Sequence, residues 1–290
     1  MNGDLRSRLS VHSHDDTLGR WSVAWCRPHP VLAPHVAAIW YGEGCVSYAR
    51  DRILPSAASH LLINLGPTQY LVEHGPPERR IPFVDVWYSG LHQTPIDTEA
   101  PHGNALLGVA LRASGGRPWL HTDADLLANR VLPLADVLGD GVLALRQRLL
   151  ETAGIEERFG LVESWIAARL SSCHRVHSAV TAALNRIERT AGCVPVEELS
   201  RETGVSRKHL SELFRRQIGL NPKALARVLR FKSAIGLLTG VERVPWVELA
   251  AHCGYYDQSH LIRDFRAFSG YAPGEFVRHA RPDGDSIVVR

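Results

Sequence analysis

An internal repeat in the C-terminal half constrains the fold of this chain more than any other sequence feature. The first copy comprises Glu198, Leu199, Gly204, Leu210, Phe214, Gly219 and Pro222, and the second comprises Glu248, Leu249, Gly254, Leu261, Phe265, Gly270 and Pro273. The offset is 50 residues between Gly204 and Gly254 and 51 between Leu210 and Leu261, so the second copy has one additional residue near its first glycine. Such a repeat predicts two copies of one structural unit.

Each repeated residue has a role in a helix-turn-helix unit. The first glycine ends one helix and permits a left-handed turn, and Ser206 or Asp257 can cap the helix that follows. The leucine and phenylalanine lie four residues apart, so they share one face of the second helix and pack against the first. The pattern therefore predicts second helices over residues 206–217 and 257–268.

Residues 222–239 are predicted to form one long helix between the two units. Pro222 lies in the first turn of this helix, apolar residues follow at helical spacing, and Gly240 closes it. A rigid helix of this kind can hold two recognition helices in successive segments of the major groove, about 34 Å apart. One chain would then contact DNA as a symmetric dimer usually does.

The charge is distributed unevenly between the two halves. The formal net charge of the chain is +3. Residues 1–170 hold 15 arginines and 18 acidic residues, for a net charge of −3, whereas residues 171–290 hold 18 basic and 12 acidic residues, for a net charge of +6. A basic part joined to a slightly acidic one is the asymmetry expected when one half meets phosphate and the other does not.

The repeat region resembles the C-terminal domain of AraC/XylS-type transcription regulators. The resemblance covers residues 176–282 and is clearest from Glu197 to Leu210 and from Cys253 to Leu261. It implies an all-α domain of seven helices that binds double-stranded DNA through two major-groove helices. It also implies RNA polymerase as a partner, which the protein would recruit as an activator or block as a repressor.

The residues predicted to contact DNA face outward on the two second helices, away from the repeated leucine and phenylalanine. The resemblance implies base contacts at Lys208, Ser211 and Glu212, although Glu212 stands where a basic residue is expected. Gln258 can pair with adenine and Arg263 with guanine, and Arg207 and Arg216 are predicted phosphate contacts. The predicted set is Ser206, Arg207, Lys208, Ser211, Glu212, Arg215, Asp257, Gln258, Ser259, Ile262, Arg263 and Arg266.

The N-terminal half is predicted to be a β-barrel or sandwich followed by helices, which makes the chain an α+β protein of two domains. Short β-type runs lie at residues 21–26, 36–41, 61–65, 69–72, 84–89 and 105–111. Segments 53–66 and 90–95 resemble the cupin-like sensor domain of some of these regulators. The resemblance implies a small-molecule effector in the barrel and a homodimer through residues 118–170. The predicted effector pocket contains His60, Asn64, His92 and Gln93.

Nine histidines between His12 and His121 raise the alternative of a metal-dependent enzyme. Their spacing does not match a cupin metal site, and the five cysteines include no C-x-x-C pair, so neither a metal, a cofactor nor a catalytic residue is predicted. This argues against an alkylation-repair enzyme with an attached DNA-binding domain. An N-terminal domain that serves only dimerisation remains an alternative.

The domain boundaries follow from these patterns. Residues 1–20 are predicted to be a disordered tail, 21–170 the sensing and dimerisation domain, 171–178 a linker and 179–282 the DNA-binding domain. Residues 1–20 have no apolar run typical of a signal peptide, and no segment has the roughly 18 uninterrupted apolar residues that a membrane span needs. A cytoplasmic location without membrane contact is therefore expected.

Overall fold

The N-terminal half of the computed structural model consists of two antiparallel sheets that face each other. The structure describes residues 5–170, 175–238, 244–279 and 286–289. The first sheet has the order β1-β2-β3-β10-β5-β8-β11 and the second the order β12-β4-β9-β6-β7. The strands are β1 (Leu9–Asp16), β2 (Gly19–Cys26), β3 (Val36–Val46), β4 (Arg50–Ile53), β5 (Ala58–Asn64), β6 (Gln69–Glu73), β7 (Arg79–Phe83), β8 (Val86–Ser89), β9 (Ile96–Glu99), β10 (Asn104–Arg112), β11 (Val131–Pro133) and β12 (Ser286–Val289).

All six predicted strands are present, as β2, β3, β5, β6, β8 and β10, and the chain has the predicted α+β organisation. Of the two predicted forms, barrel or sandwich, the two facing sheets match the sandwich, because within the described residues neither sheet closes on itself. The strands that the sequence reading missed are short or have few buried side chains. Strand β4, for example, has the sequence RDRI and no fully buried residue.

Helices cover the outer face of the first sheet. They are α1 (Arg117–Leu120), α2 (Ala135–Leu138), α3 (Gly141–Glu151) and α4 (Ile155–Ala167), and a 3-10 helix spans Ala124–Leu126. Leu149, Val162 and Ile166 are fully buried against this sheet, although they lie in the segment 118–170 that is predicted to mediate dimerisation. Dimerisation through residues 118–170 stays a prediction, for which α3 still offers the exposed Leu143 and Leu150.

The described part of the predicted tail is ordered, which corrects the prediction of disorder for residues 5–20. Its strand β1 pairs with β2 along its whole length, while its side chains remain mostly exposed. Arg8 anchors the segment: its Nη1 and Nη2 donate to the two carboxylate oxygens of the buried Glu163 at 2.7 and 2.9 Å. Backbone pairing, the Arg8–Glu163 pair and a longer Arg6–Glu156 contact at 3.8 Å hold this segment, and only Leu5 and Leu9 pack against the core, which is too few residues to form an apolar pattern. Residues 1–4 lie outside the described residues.

Seven helices form the described C-terminal half, as the resemblance implied. They are α5 (Ser178–Arg189), α6 (Val196–Thr203), α7 (Arg207–Ile218), α8 (Pro222–Gly236), α9 (Trp246–His252), α10 (Gln258–Ser269) and α11 (Pro273–His279). Helices α6 and α7 are the first predicted helix-turn-helix unit, α9 and α10 are the second, and α8 is the predicted helix between them. Helix α8 ends at Gly236, before the predicted end at Thr239, while Thr239, Gly240 and part of the predicted linker 171–178 lie outside the described residues.

The two helix-turn-helix units have separate apolar cores, and each core includes residues of the N-terminal half. The core of the first unit contains Leu210 and Phe214 together with Leu91 of the N-terminal half. The core of the second contains Phe231 and Phe265 together with Leu54, which follows β4. Strand β12 comes from the C-terminal end of the chain and pairs with β4. The C-terminal half therefore packs directly on the sheets. No described helix combines the length and the apolar character that crossing a bilayer requires.

Candidate nucleic-acid interface

The turn of the first unit has the geometry predicted from the repeat. Gly204 has a φ of 70°, a left-handed conformation that costs other residues energy. The Ser206 side chain then caps α7 by accepting a hydrogen bond from the backbone N–H of His209 at 3.2 Å. Leu210 and Phe214 are fully buried, so the opposite side of α7 faces outward.

The second unit repeats this arrangement with one additional residue in the turn. Gly254 has a φ of 71°, and Asp257 Oδ1 accepts a hydrogen bond from the backbone N–H of His260 at 2.7 Å. Leu261 and Phe265 are fully buried. Both predicted N-caps and both pairs of buried residues are therefore confirmed, because local capping and helical periodicity determine them.

None of the twelve residues predicted to contact DNA is buried. Nine are exposed, namely Ser206, Arg207, Lys208, Glu212, Arg215, Asp257, Ser259, Arg263 and Arg266. Three are half-buried, namely Ser211, Gln258 and Ile262. The two helices thus present four arginines and a lysine on their accessible sides. Arg207 forms an exposed ion pair with Glu197 at 2.7 Å, while Lys208, Arg215, Arg263 and Arg266 form none with the residues that the structure describes.

Arg216 also contacts the N-terminal half, while its side chain stays 64% exposed, so its phosphate contact remains a prediction. Its Nε donates to Asp123 Oδ2 at 3.1 Å, and Arg117 Nη1 donates to the backbone oxygen of Arg216 at 3.3 Å. Gly219 ends α7 at the same junction, where a Cβ atom would come within 2.9 Å of the Ala124 backbone oxygen. The C-terminal end of the first recognition helix therefore rests on the 3-10 helix.

The end of the second recognition helix also contacts the N-terminal half, through Arg52 of β4. Arg52 Nε and Nη2 each donate to a carboxylate oxygen of the buried Asp97 at 2.8 Å. Its Nη1 donates to the backbone oxygen of Ser269, the last residue of α10, at 3.3 Å. The guanidinium also lies 5.7 Å from the centre of the Tyr271 ring. The Arg52 guanidinium thus joins the second sheet to the second helix-turn-helix unit.

Asp264 is a polar residue of the second recognition helix that the sequence reading did not single out. It is 1% exposed, and its Oδ1 accepts hydrogen bonds from Arg227 Nη2 and Nε of α8 at 2.6 and 3.1 Å. Burial, together with the charge of Asp264, raises the pKa of the nearby Tyr255. Its burial could have been predicted from the sequence, because Asp264 lies three residues after Leu261 and therefore on the buried face of the helix.

A cavity of about 180 Å³ lies between the two sheets. Trp40, His60, Leu62, Trp87, Ser89, Leu106 and Val131 line it from the first sheet, and Ile53, Gln69, Tyr70, Leu71, Phe83, Ile96 and Thr98 line it from the second. Alternation along β5 explains this division, because Leu61 and Ile63 pack against the helices while His60 and Leu62 face the cavity. Strands covered on one side by helices thus have their other side facing the cavity.

Of the four residues predicted to form the effector pocket, only His60 lines this cavity. His92 lies behind it, with its Nε2 3.0 Å from the Ser89 hydroxyl. The Asn64 amide donates to the backbone oxygens of Pro67 and Phe83 at 2.9 Å each, so it holds the β5–β6 turn. Gln93 is half-buried, and its backbone N–H donates to Asn129 Oδ1 at 2.8 Å.

The sequence did not predict the aromatic residues of the cavity, because the predicted pocket consisted of polar side chains. Trp40 was within a predicted strand, and its partner across β10 is Gly108. A Cβ atom at Gly108 would lie 2.2 Å from the Trp40 ring, so this glycine provides the space in which the indole lies flat on the sheet. A glycine inside a strand often marks a place where another group approaches the backbone closely, and Gly108 is such a glycine beside Trp40. Among the described residues, no group of three or more His, Cys, Asp and Glu side chains could hold a metal ion.

Two family models match the chain. Residues 199–279 match a model described as a helix-turn-helix domain, and residues 25–133 match one described as a domain of unknown function (DUF6597). The first match spans most of the internal repeat, and the second spans most of the sheets. No curated protein sequence is significantly similar to the chain.

Several solved structures are similar to parts of the chain. The C-terminal domain of AraT, a response regulator from Geobacillus stearothermophilus, shares 24% identity over 36% of this chain and 87% of that one, with a TM-score of 0.33. ToxT from Vibrio cholerae shares 10% identity over 80% of this chain and 97% of its own, with a TM-score of 0.43. An AraC-type transcriptional regulator from Chromobacterium violaceum shares 24% identity over 34% and 89%, with a TM-score of 0.31.

Proposed function

We propose that this chain is an AraC-type, sequence-specific transcription regulator controlled by a small molecule in the N-terminal half, and the helix-turn-helix family model that matches residues 199–279 supports this proposal. One observation supports sequence-specific DNA binding. The two recognition helices bury their repeated leucine and phenylalanine and leave cationic and amide side chains accessible. Phosphate contacts would position these helices and base contacts would select the sequence. The bound protein would then recruit or block RNA polymerase.

Selection of DNA from a random pool by the purified full chain tests the central claim. We expect one asymmetric sequence to be enriched, because the two recognition helices carry different outward residues: Lys208, Ser211 and Glu212 on α7, but Gln258, Ser259 and Arg263 on α10. Enrichment of two half-sites about one helical turn apart would match two helices in successive major-groove segments. Recovery of no sequence above the level of random DNA would overturn the proposal.

Replacing Arg263 with alanine is expected to weaken binding to the selected sequence by about 1–3 kcal/mol. If Arg263 pairs with guanine, the variant loses the hydrogen bonds that distinguish this base from the others. Electrophoretic or fluorescence titration against selected and random DNA measures the effect. Arg148→Ala is the matched control, since Arg148 is an exposed arginine on α3 of the N-terminal half. Equal losses on both DNAs would assign Arg263 to phosphate contact, and a loss no greater than that of the control would contradict any contact.

Strands β4 and β9 line the cavity on one face and carry the contact with the C-terminal half on the other, which supports a coupling between ligand binding and DNA binding. Ile53 and Thr98 line the cavity, whereas the adjacent Arg52 and Asp97 form the ion pair that contacts Ser269. Successive side chains of a strand point to opposite faces, so a ligand that shifts either strand also shifts this pair. The effector would thereby change the position of the second recognition helix relative to the sheets.

A further inference from the structure

We propose that the cavity between the two sheets binds an uncharged, mainly aromatic molecule of one or two rings. This inference deepens the proposed function and depends on it for its regulatory meaning. The size follows from the volume of about 180 Å³. A protein cavity of about 150 Å³ is large enough to hold benzene, so the space here suits a single ring with a small substituent or a fused pair such as indole.

The aromatic character follows from the side chains that face the space. Trp40 and Trp87 line it from the first sheet and Phe83 lines it from the second, with the Phe83 and Trp87 ring centres 5.1 Å apart. A flat ligand between these rings can adopt the offset or edge-to-face contacts that aromatic pairs prefer, which stabilise each pair by about 0.5–1.5 kcal/mol beyond burial of area. Gly108 shapes the site further, because its missing side chain lets the Trp40 ring lie against the sheet.

The ligand is expected to be uncharged because the charged side chains of the two sheets point away from the cavity. Of the residues that line the cavity in the described structure, none is an aspartate, glutamate, lysine or arginine. Arg52 and Asp97 adjoin lining residues in sequence, but they point to the opposite face and neutralise each other there. A carboxylate or ammonium in the cavity would lose its hydration without gaining an opposite charge, and this transfer is strongly unfavourable.

Polar side chains at the cavity allow the ligand a hydrogen-bonding group. His60 and Ser89 are paired across strands β5 and β8, so their side chains lie side by side. Burial lowers the pKa of His92 to about 4, so His92 is neutral at pH 7 when it contacts Ser89. A hydroxyl or an N–H on the ligand can therefore meet a neutral, preorganised partner. A phenol or an indole has one such group on an aromatic ring.

Calorimetric titration of the full chain with matched probes tests the proposal. The neutral probes are indole and 4-methylphenol, the anionic counterparts are 4-methylbenzoate and octanoate, and octan-1-ol is the neutral aliphatic probe. We expect the aromatic neutral probes to bind at least tenfold more tightly than the other three. Equal binding of 4-methylbenzoate would overturn the claim of neutrality, equal binding of octan-1-ol would overturn the aromatic preference, and no heat from any probe would overturn the whole inference.

Two variants link the binding to this cavity. In Gly108→Ala the new methyl group requires the Trp40 ring to move into the cavity, and we expect at least a tenfold loss of indole affinity. Gly42→Ala is the matched control on neighbouring β3, because a Cβ atom there meets nothing closer than 3.7 Å. Leu71→Arg supplies a cation at the opposite sheet and should reverse the preference toward 4-methylbenzoate, which keeps the test decisive if Gly108→Ala does not fold. Unchanged probe affinities in a folded Leu71→Arg protein would contradict the proposed site.

Binding of the selected DNA by the same preparations separates this inference from the proposed function. Specific DNA binding without probe binding would refute the ligand and leave the regulator intact. Indole binding without specific DNA binding would refute the regulator and leave the cavity assignment intact. Where both occur, we expect indole to change the affinity for the selected DNA.

Discussion

Replacing Arg52 with methionine is expected to lower the free energy of unfolding by about 3–5 kcal/mol, because it removes the main partner of a buried carboxylate. Asp97 is 1% exposed, and among the described side chains it would keep only His74 as a hydrogen-bond partner, with the Nε2 atom at 2.8 Å. The variant also loses the contact with Ser269, so a ligand in the cavity should affect DNA affinity less. Urea unfolding followed by circular dichroism, together with DNA titration in the presence of indole, measures the two effects.

The loss in Arg52→Met should depend on pH. Burial by itself raises the pKa of Asp97, but the hydrogen bonds and charges of Arg52 and His74 lower it below its usual value in the native protein. The ionised carboxylate therefore stabilises the native protein above about pH 4, the unfolded-state pKa, and this contribution disappears in acid. Without Arg52, burial raises the pKa, and the penalty grows as the pH rises. The difference between the two proteins should be largest at pH 7 and smaller near pH 4.

Arg80→Met is the matched control for this prediction. Arg80 lies on β7 of the same sheet and pairs with the buried Glu99 at 2.9 Å, but Glu99 also pairs with Arg50 at 2.7 Å. Because Glu99 keeps a cationic partner, we expect a loss of at most about 1 kcal/mol. If both methionine variants lost the same stability at pH 7, the buried charge of Asp97 would not be the cause.

Replacing Arg227 with methionine is the second change expected to have a large effect, again about 3–5 kcal/mol of unfolding free energy. Arg227 is the only described residue that donates hydrogen bonds to Asp264, whose other carboxylate oxygen has no partner in the described structure. The side chain of Arg227 is 34% exposed and that of Asp264 only 2%. Removing the arginine therefore leaves a charge without access to water. Thermal and urea unfolding of the variant measure the loss.

A double variant distinguishes the buried charge from general damage to the helix. Arg227→Met combined with Asp264→Leu removes both charges, and replacing a buried pair by apolar residues is often neutral, so most of the stability should return. Arg186→Met is the surface control, because Arg186 pairs with partly exposed glutamates at 3.4 and 3.7 Å and should cost at most about 1 kcal/mol. A double variant as unstable as Arg227→Met would contradict the explanation.

Local interactions made the DNA-binding half predictable from the sequence. Gly204 and Gly254 adopt left-handed turns, Ser206 and Asp257 cap the next helices, and the repeated leucines and phenylalanines are buried. Each of these features depends on residues within about one helical turn, so the order of residue types is sufficient to predict it. The repeat then supplied a second, independent copy of the same pattern.

Contacts between distant parts of the chain could not be predicted in this way. The sequence suggested a tail for residues 1–20, but Arg8 meets Glu163, 155 residues away, and nothing in the sequence indicated that Arg216 meets Asp123. The cavity has the same origin, since its tryptophans and apolar side chains converge only when the two sheets face each other. Capping and helical periodicity thus determined the two helix-turn-helix units from sequence alone. Packing of the sheets decided where the cavity lies and which arginines join the halves, because neither depends on neighbours in sequence.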